Sequence, residues 1–329
     1  MYPEKEIIIF HVESALHAGS GASIGHIDNP VQRETPTGNP VIQASGVKGA
    51  LREFYEKTVS DNSDIENKMI DAVFGKEKGE RDEKDGAGAV VFGEAKLLFF
   101  PVRSIAGIFA HITCPSIIAR FQRDLTAVNK TTLTVSDRNG VGKIWRPSVS
   151  INRYLSHTNS IVKISPNGLL ILEELSFEQQ NTDNPDQCLE SLSDAIFPDT
   201  PEYIPFKSDF PKRVAILNDT DYFYFVKYST EIEPHNRINE VTGTVDENTG
   251  VWYTEYLPAE SILYSSLFIG QPRIQKDIFN DDAANVKIFV EKVDGKRTWL
   301  GGDRTTGKGR VMMHLYKAYG TDAKNRQEG

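Results

Sequence analysis

The chain has 329 residues, 39% hydrophobic and 25% charged, with a formal net charge of −9. That length supports one large elaborated domain with a sizeable core. No stretch is apolar enough to span a bilayer, and the opening MYPEKEIIIFHVE has too short an apolar run and too acidic a flank for a signal peptide.

Cys114 and Cys188 make neither a metal-ligand spacing nor a disulfide framework, so a reducing cytoplasm is expected. An acidic protein meets a phosphate backbone only where cations are gathered locally. Much of the negative charge lies in residues 61–88, in DNSDIENK and then KEKGERDEKDG. That segment reads as an acidic, solvated insertion on a single domain spanning 1–329.

Lys5 to Val12 is a short β-branched run and predicts a first strand. Residues 16–42 follow, rich in Gly, Ser, Asn and Pro, and without a period for most of their length. A loop that long inside a compact domain is usually functional or disordered. Ser45 is a plausible N-cap for a helix with Val47, Leu51 and Phe54 on one face. Ala89 to Phe100 predicts a strand, and Thr113-Cys114-Pro115 opens a helix with Ile117, Ile118, Phe121 and Leu125 as its apolar stripe. Further strand-like runs are Arg213–Leu217, Tyr222–Tyr228, Ala259–Phe268, Val286–Val293 and Arg310–Tyr316. Helices and strands alternating ahead of many later strands imply an α+β sheet domain with large insertions. Residues from about 229 to 258 carry Pro234, Asn236, Gly243, Asn248 and Gly250 among polar neighbours, and read as a projecting hairpin or arm.

Four segments carry candidate chemistry. The first is His17-Ala-Gly-Ser-Gly-Ala-Ser-Ile-Gly-His26-Ile-Asp28-Asn-Pro30, whose glycines have the wrong spacing for a phosphate or dinucleotide loop. Asp28 before Asn-Pro suits an ordinary turn. It also offers a loop carboxylate that can position Mg²⁺ or orient an attacking group, beside a histidine able to move a proton near neutral pH. The second is Ser45-Gly46-Val-Lys48-Gly-Ala-Leu-Arg52. A cation in a helix's first turn opposes the dipole, and Arg52 at i+4 repels it, which favours a bound anion or else a plain solvated face.

The third, Gly301-Gly302-Asp-Arg304-Thr305-Thr306-Gly307-Lys308-Gly309-Arg310, lacks the Ser or Thr of a Walker loop. Its cations and hydrogen-bond donors suit an RNA backbone. The fourth, Trp252-Tyr-Thr-Glu255-Tyr256, is either strand packing or a base-stacking cluster beside an acid.

LHAGSG (16–21), GHIDNPVQRE (25–34), TGNPVI (37–42), SGVKGALRE (45–53), FFPVRS (99–104) and LGGDRTTGKGR (300–310) together resemble the RAMP superfamily. Within it they are most similar to the backbone subunits of type III-B CRISPR effectors, and the likeness spans nearly the whole chain. It implies an RRM-like (ferredoxin-like) palm with a thumb formed by the arm at about 229–258. It also implies copies stacked head to tail on CRISPR RNA, with the other subunits of a Cmr complex and no membrane, and Mg²⁺- or Mn²⁺-dependent cleavage of guide-paired target RNA at regular intervals.

By motif, Asp28 is the cleavage residue and metal ligand, His17 its histidine neighbour, and Glu255 and Tyr256 a later acid–tyrosine pair. Ser45, Gly46, Lys48, Arg52 and the Gly301–Arg310 loop fall where guide RNA is held. Arg304 departs from the family's pattern, standing where an acid is expected. Two alternatives share the fold: a backbone subunit that does not cut, and a stand-alone ribonuclease processing precursor CRISPR RNA. The latter usually carries paired palms, and the chain shows a single complete strand-helix set.

Overall fold

The computed structural model describes all residues except 22–26, 60–62, 77–85, 137–141, 165–167, 183, 239–242, 246–249 and 318–329. Strand β1, Glu4–Val12, lies at its centre with Ile7 to Phe10 essentially inaccessible to solvent. Helix α1, Ala44–Phe54, buries Val47, Leu51 and Phe54 as their spacing predicts, each stabilising by about 1.5–3 kcal/mol. Gln43, rather than Ser45, occupies the cap position, so Ser45 sits exposed in the first turn.

Helix α2, Asp64–Phe74, is capped by the side chain of Ser63 and buries Ile70, Ala72, Val73 and Phe74. This corrects the reading of 61–88 as solvated throughout: Asp64, Glu66 and Asp71 keep contact with solvent while the last turns of the helix join the core. The most charged part of that segment, 77–85, lies outside the described residues.

The run from Ala89 splits at Gly93 into Val90–Phe92 and β2, Ala95–Arg103, and both pieces pair with one later strand. A Cβ at Gly93 would come within 3.0 Å of the Ser266 carbonyl oxygen, so the strand breaks where another backbone approaches. Then follow β3, Phe109–Thr113, and α3, Pro115–Ala127, with the expected stripe buried. Periodicity missed the short strands β4, Arg153–Ser156, β5, Leu169–Leu172, and β6, Leu175–Gln179. It also missed helices α4, Asp186–Ile196, and α5, Ile204–Arg213, which precedes β7, Val214–Leu217.

Two expected strands are helices. Tyr222–Tyr228 belongs to α6, Asp219–Tyr228, where the Asn218 side chain caps the Thr220 amide and Tyr222, Phe225 and Val226 form the buried face. Val286–Val293 falls in α7, Ala283–Val290, capped by Asp282, and in the 3₁₀ turn after it. In both cases a capping side chain and an i, i+3, i+4 apolar face outweigh the β propensity of aromatic and branched residues.

Strands β8, Glu231–Asn236, and β9, Val251–Tyr256, pair as a two-stranded antiparallel sheet of their own. The last three are β10, Ile262–Ile269, β11, Lys296–Trp299, and β12, Arg310–Leu315. Among the described residues the main sheet has 13 strands, and four neighbours in the order β12–β1–β10–β2 pair antiparallel throughout. The Tyr55 hydroxyl after α1 donates to the carbonyls of Phe289 and Val290 in α7, tying these two helices together. Cys114 and Cys188 are buried free thiols. Among the described residues, no helix is long and apolar enough to cross a membrane.

Candidate functional site

The loop at 16–42 is irregular yet firmly bonded. One edge of β9 pairs with β8; the other receives both limbs of the loop. The Asn29 amide donates to the Tyr253 carbonyl (3.1 Å), and the Glu255 amide to the Asn29 carbonyl (3.0 Å). Leu16 and Leu257 exchange two bonds of 2.8 Å just beyond.

Asp28 and His17 hang from this same edge. The Tyr253 amide donates to Asp28 Oδ2 at 2.8 Å, leaving Asp28 exposed and its Oδ1 without a partner among the described residues. His17 Nδ1 lies 2.8 Å from the Glu255 carbonyl oxygen. A carbonyl only accepts, so Nδ1 carries the proton, and in the neutral ring Nε2 holds the free lone pair. A Cβ at Gly19 would stand 2.7 Å from that Nε2, so glycine there keeps the space beside it open. His26, between these limbs in sequence, lies outside the described residues.

Glu255 does not reach this space. Its carboxylate is buried and accepts from Arg33 Nη2 (2.5 Å), Thr230 Oγ1 (2.8 Å) and the Val31 amide (2.9 Å). The structure therefore makes it the buckle that holds the second loop limb to the hairpin. Tyr256 is also buried. Its hydroxyl donates to Asp303 Oδ2 at 2.9 Å and meets His235 Nε2 at 3.3 Å, while its ring packs edge-on to His17 at 5.6 Å. Burial, then the Asp303 carboxylate, holds the phenol well above its ordinary range. The Tyr256 ring thus stands as a post behind His17.

The glycine-rich loop, remote in sequence, is the floor of the same site. Gly301 has φ +76°, and a Cβ there would fall 2.2 Å from the His17 carbonyl oxygen. The Gly302 amide donates to that oxygen at 2.9 Å, and the Gly309 amide donates to the Ala15 carbonyl at 2.8 Å. Each cation here has an acid partner. Arg304 pairs with Glu53 of α1 and Lys308 with Glu233 of β8, while Arg310 meets Glu13 at 2.9 Å. Lys308 Nζ also lies 4.5 Å above the Tyr256 ring. Thr305, Thr306 and Gly307 are exposed, and the Thr306 hydroxyl caps the Asp303 carbonyl. Next to the loop, Lys57, Trp299, Arg304 and Thr305 line a cleft of about 430 Å³.

At the start of α1, Gly46 is exposed and Lys48 half-buried. Lys48 has no ion-pair partner among the described residues. Arg52, expected beside it as an RNA contact, is instead engaged by Glu56 (2.7 Å), the Gly75 carbonyl (2.5 Å) and Asp71 (3.1 Å). These bonds tie its guanidinium to the protein's own acids and backbone.

A model of the RAMP superfamily matches residues 9–312. The chain belongs to the RAMP superfamily. Two relatives cover nearly all of it. The CRISPR system Cmr endoribonuclease Cmr4 of Pyrococcus furiosus is 35% identical, over 91% of this chain and 91% of its own length. The Cmr4 subunit of Saccharolobus solfataricus is 25% identical, over 91% and 92%. Among solved structures, oligomeric Cmr4 from Pyrococcus furiosus superposes with a TM-score of 0.69 at 25% identity, covering 95% of this chain and 98% of that one. A chain of the type III-B Cmr-beta complex bound to cognate target RNA has a TM-score of 0.65 at 20% identity, covering 95% and 98%, and shares the fold.

Three residues of this RAMP chain's site escaped sequence reasoning: Arg33, which locks Glu255, and His235 and Asp303, which meet Tyr256. His235 alternates with Glu233 on β8, a two-residue spacing that puts both on one face of a hairpin; Arg33 and Asp303 carry no comparable signal. Among the described residues no three His, Cys, Asp or Glu side chains converge as metal ligands. Among the described residues Asp28 is a single carboxylate at this edge, fewer donors than a resident hard cation takes.

Proposed function

We propose that this chain is a repeating CRISPR-RNA-binding backbone subunit of a cytoplasmic type III-B Cmr effector complex, and that it cleaves guide-paired target RNA at regular intervals. Copies stack head to tail along the guide beside other Cmr subunits. The order β12–β1–β10–β2, with α1 after β1 and α7 between β10 and β12, supports reading the centre as an RRM-like palm. The β8–β9 hairpin is the thumb, and its Ile232 and Tyr253 offer exposed apolar surface for wedging or stacking between bases.

The observation that carries cleavage is the pairing of Asp28 and His17 on one edge of that hairpin. The target 2′-hydroxyl gives its proton to His17 Nε2 and its oxygen attacks the neighbouring phosphorus. The bond to the 5′-oxygen breaks, that oxygen takes a proton from water, and the products are a 2′,3′-cyclic phosphate and a 5′-hydroxyl. Asp28 orients the attacking hydroxyl, and the thumb supplies the rate by holding the unstacked nucleotide in line. Lys48 and the Gly301–Arg310 loop hold guide RNA, the loop more through exposed backbone and hydroxyls than through free charge. Mg²⁺ or Mn²⁺ belongs to this proposal as an ion brought in by RNA phosphates; no step is assigned to it.

The test is target cleavage by the reconstituted complex carrying Asp28→Ala, with target binding measured alongside and product ends read by mass spectrometry. Retained binding with cutting slowed by at least about 100-fold supports the assignment. Unchanged cutting makes the chain a scaffold, and a 3′-hydroxyl product overturns the chemistry.

A further inference from the structure

Beside β1, where His11 meets Phe197 and Phe206, lies a cavity of about 280 Å³ that the cleavage reading leaves unused. Four phenyl rings, of Phe109, Phe197, Phe206 and Phe210, line it with His111, Asp209, Arg213 and Glu260 as polar groups, and the Arg213 guanidinium stands 5.1 Å over the Phe109 ring. Phe210 meets Phe197 edge-on at 5.2 Å and His111 at 5.0 Å. Phe206, at the rim, is 43% exposed although its neighbours are packed. A large ring left at the mouth of a formed cavity is unusual packing for a core and ordinary for a binding site.

The polar groups point the same way. His111 is 3% exposed, and its Nδ1 is buried without a hydrogen-bond partner. Burial pushes the His111 pKa down to about 3, which makes it a neutral group offering one donor and one acceptor. Glu260 accepts from His11 Nε2 at 3.0 Å and lines the same space.

We infer that this cavity binds a planar heteroaromatic ring bearing N–H donors, the chemistry of an amino-substituted nucleobase. The exposed Phe206 ring stacks on the base, Glu260 accepts from its N–H edge, and His111 pairs with a ring nitrogen or carbonyl. The volume admits a base and excludes a folded oligonucleotide. The ring comes either as a free nucleoside or as a single base carried on RNA.

The cavity is wired to the guide-side loop. Tyr203 donates to Glu13 (2.9 Å) and meets His11 Nδ1 (3.1 Å), while Glu13 in turn holds Arg297 and Arg310. Occupancy at Glu260 therefore bears on a polar chain that ends at Arg310.

The experiment uses the full chain and 2-aminopurine riboside, whose fluorescence is quenched on stacking. A second arm uses the same base within a short single-stranded RNA. Phe206→Ala removes an exposed ring with little effect on the core, and Glu260→Gln keeps the shape while removing the charge. Saturable quenching weakened about tenfold or more by either substitution supports the site. Quenching by the riboside identifies a free nucleoside as the ligand; quenching by the RNA alone identifies a carried base. No quenching in either arm, or quenching indifferent to both substitutions, overturns the inference.

Discussion

His17 and Asp28 hang from one edge of one strand, His17 from the Glu255 carbonyl and Asp28 from the Tyr253 amide, each at 2.8 Å. Their anchor points are two residues apart, or roughly 7 Å along the strand. A histidine lone pair and an exposed carboxylate are thereby held on the same edge of β9. Because both anchors are on the hairpin, a movement of the hairpin carries them together.

Space beside His17 Nε2 is guarded by Gly19. Gly19→Ala places a methyl 2.7 Å from that nitrogen, which the imidazole relieves by swinging away. We expect target cutting to fall by about 100-fold, near the effect of His17→Ala. Guide binding and melting temperature should stay close to the parent protein. Single-turnover cleavage at saturating complex reads this; an undiminished rate in Gly19→Ala removes Nε2 from the mechanism.

Glu255 is predicted to act through stability. Glu255→Gln leaves Arg33 without its buried partner and should cost about 2–3 kcal/mol, or roughly 3–4 °C in melting temperature. Complexes that assemble with it should still cut. Loss of cutting with an unchanged melting curve would return Glu255 to the active site.

Lys48 and Arg52 share a helix face and should separate cleanly. Lys48→Ala is expected to weaken guide binding and reduce the slope of log affinity against log salt by about 0.7, the loss of one phosphate contact. Arg52→Ala should leave that slope alone and destabilise the chain by about 1–3 kcal/mol, since its bonds run to Glu56, Asp71 and Gly75. Filter binding over a salt series and urea melts distinguish the two.

Acid should weaken the fold through His111. Its pKa is held down at about 3 by burial, against about 6.5 in an unfolded chain. Between those values the unfolded chain binds the extra proton. The contribution is therefore fully present above about 6.5 and lost as pH falls toward 3, at about 1.4 kcal/mol per pH unit. His111→Gln should flatten the dependence of the urea midpoint between about pH 7 and pH 5; a slope identical to the parent protein's excludes His111 as its source.

Local chemistry made much of the molecule legible. The branched run at Lys5–Val12, the Val47–Leu51–Phe54 stripe and the proline opening at Pro115 each state one period or one turn, and each element formed as read. Tyr222–Tyr228 and Val286–Val293 misled because aromatic and branched residues favour strands only when no cap and no helical face compete. Asn218 and Asp282 supplied those caps.

The ordered motifs of the chain were enough to name the family and to bring Asp28, His17 and the Gly301–Arg310 loop under suspicion. What they could not carry was the state of each charge. Arg304 is paired with Glu53 across 251 positions of sequence, and Glu255 with Arg33 across 222. A partner that far away leaves no local trace. Whether a carboxylate is a reagent or a buckle depends on desolvation and on who faces it. Both are properties of the packed chain, settled only when β9 receives the two limbs of the loop along one edge.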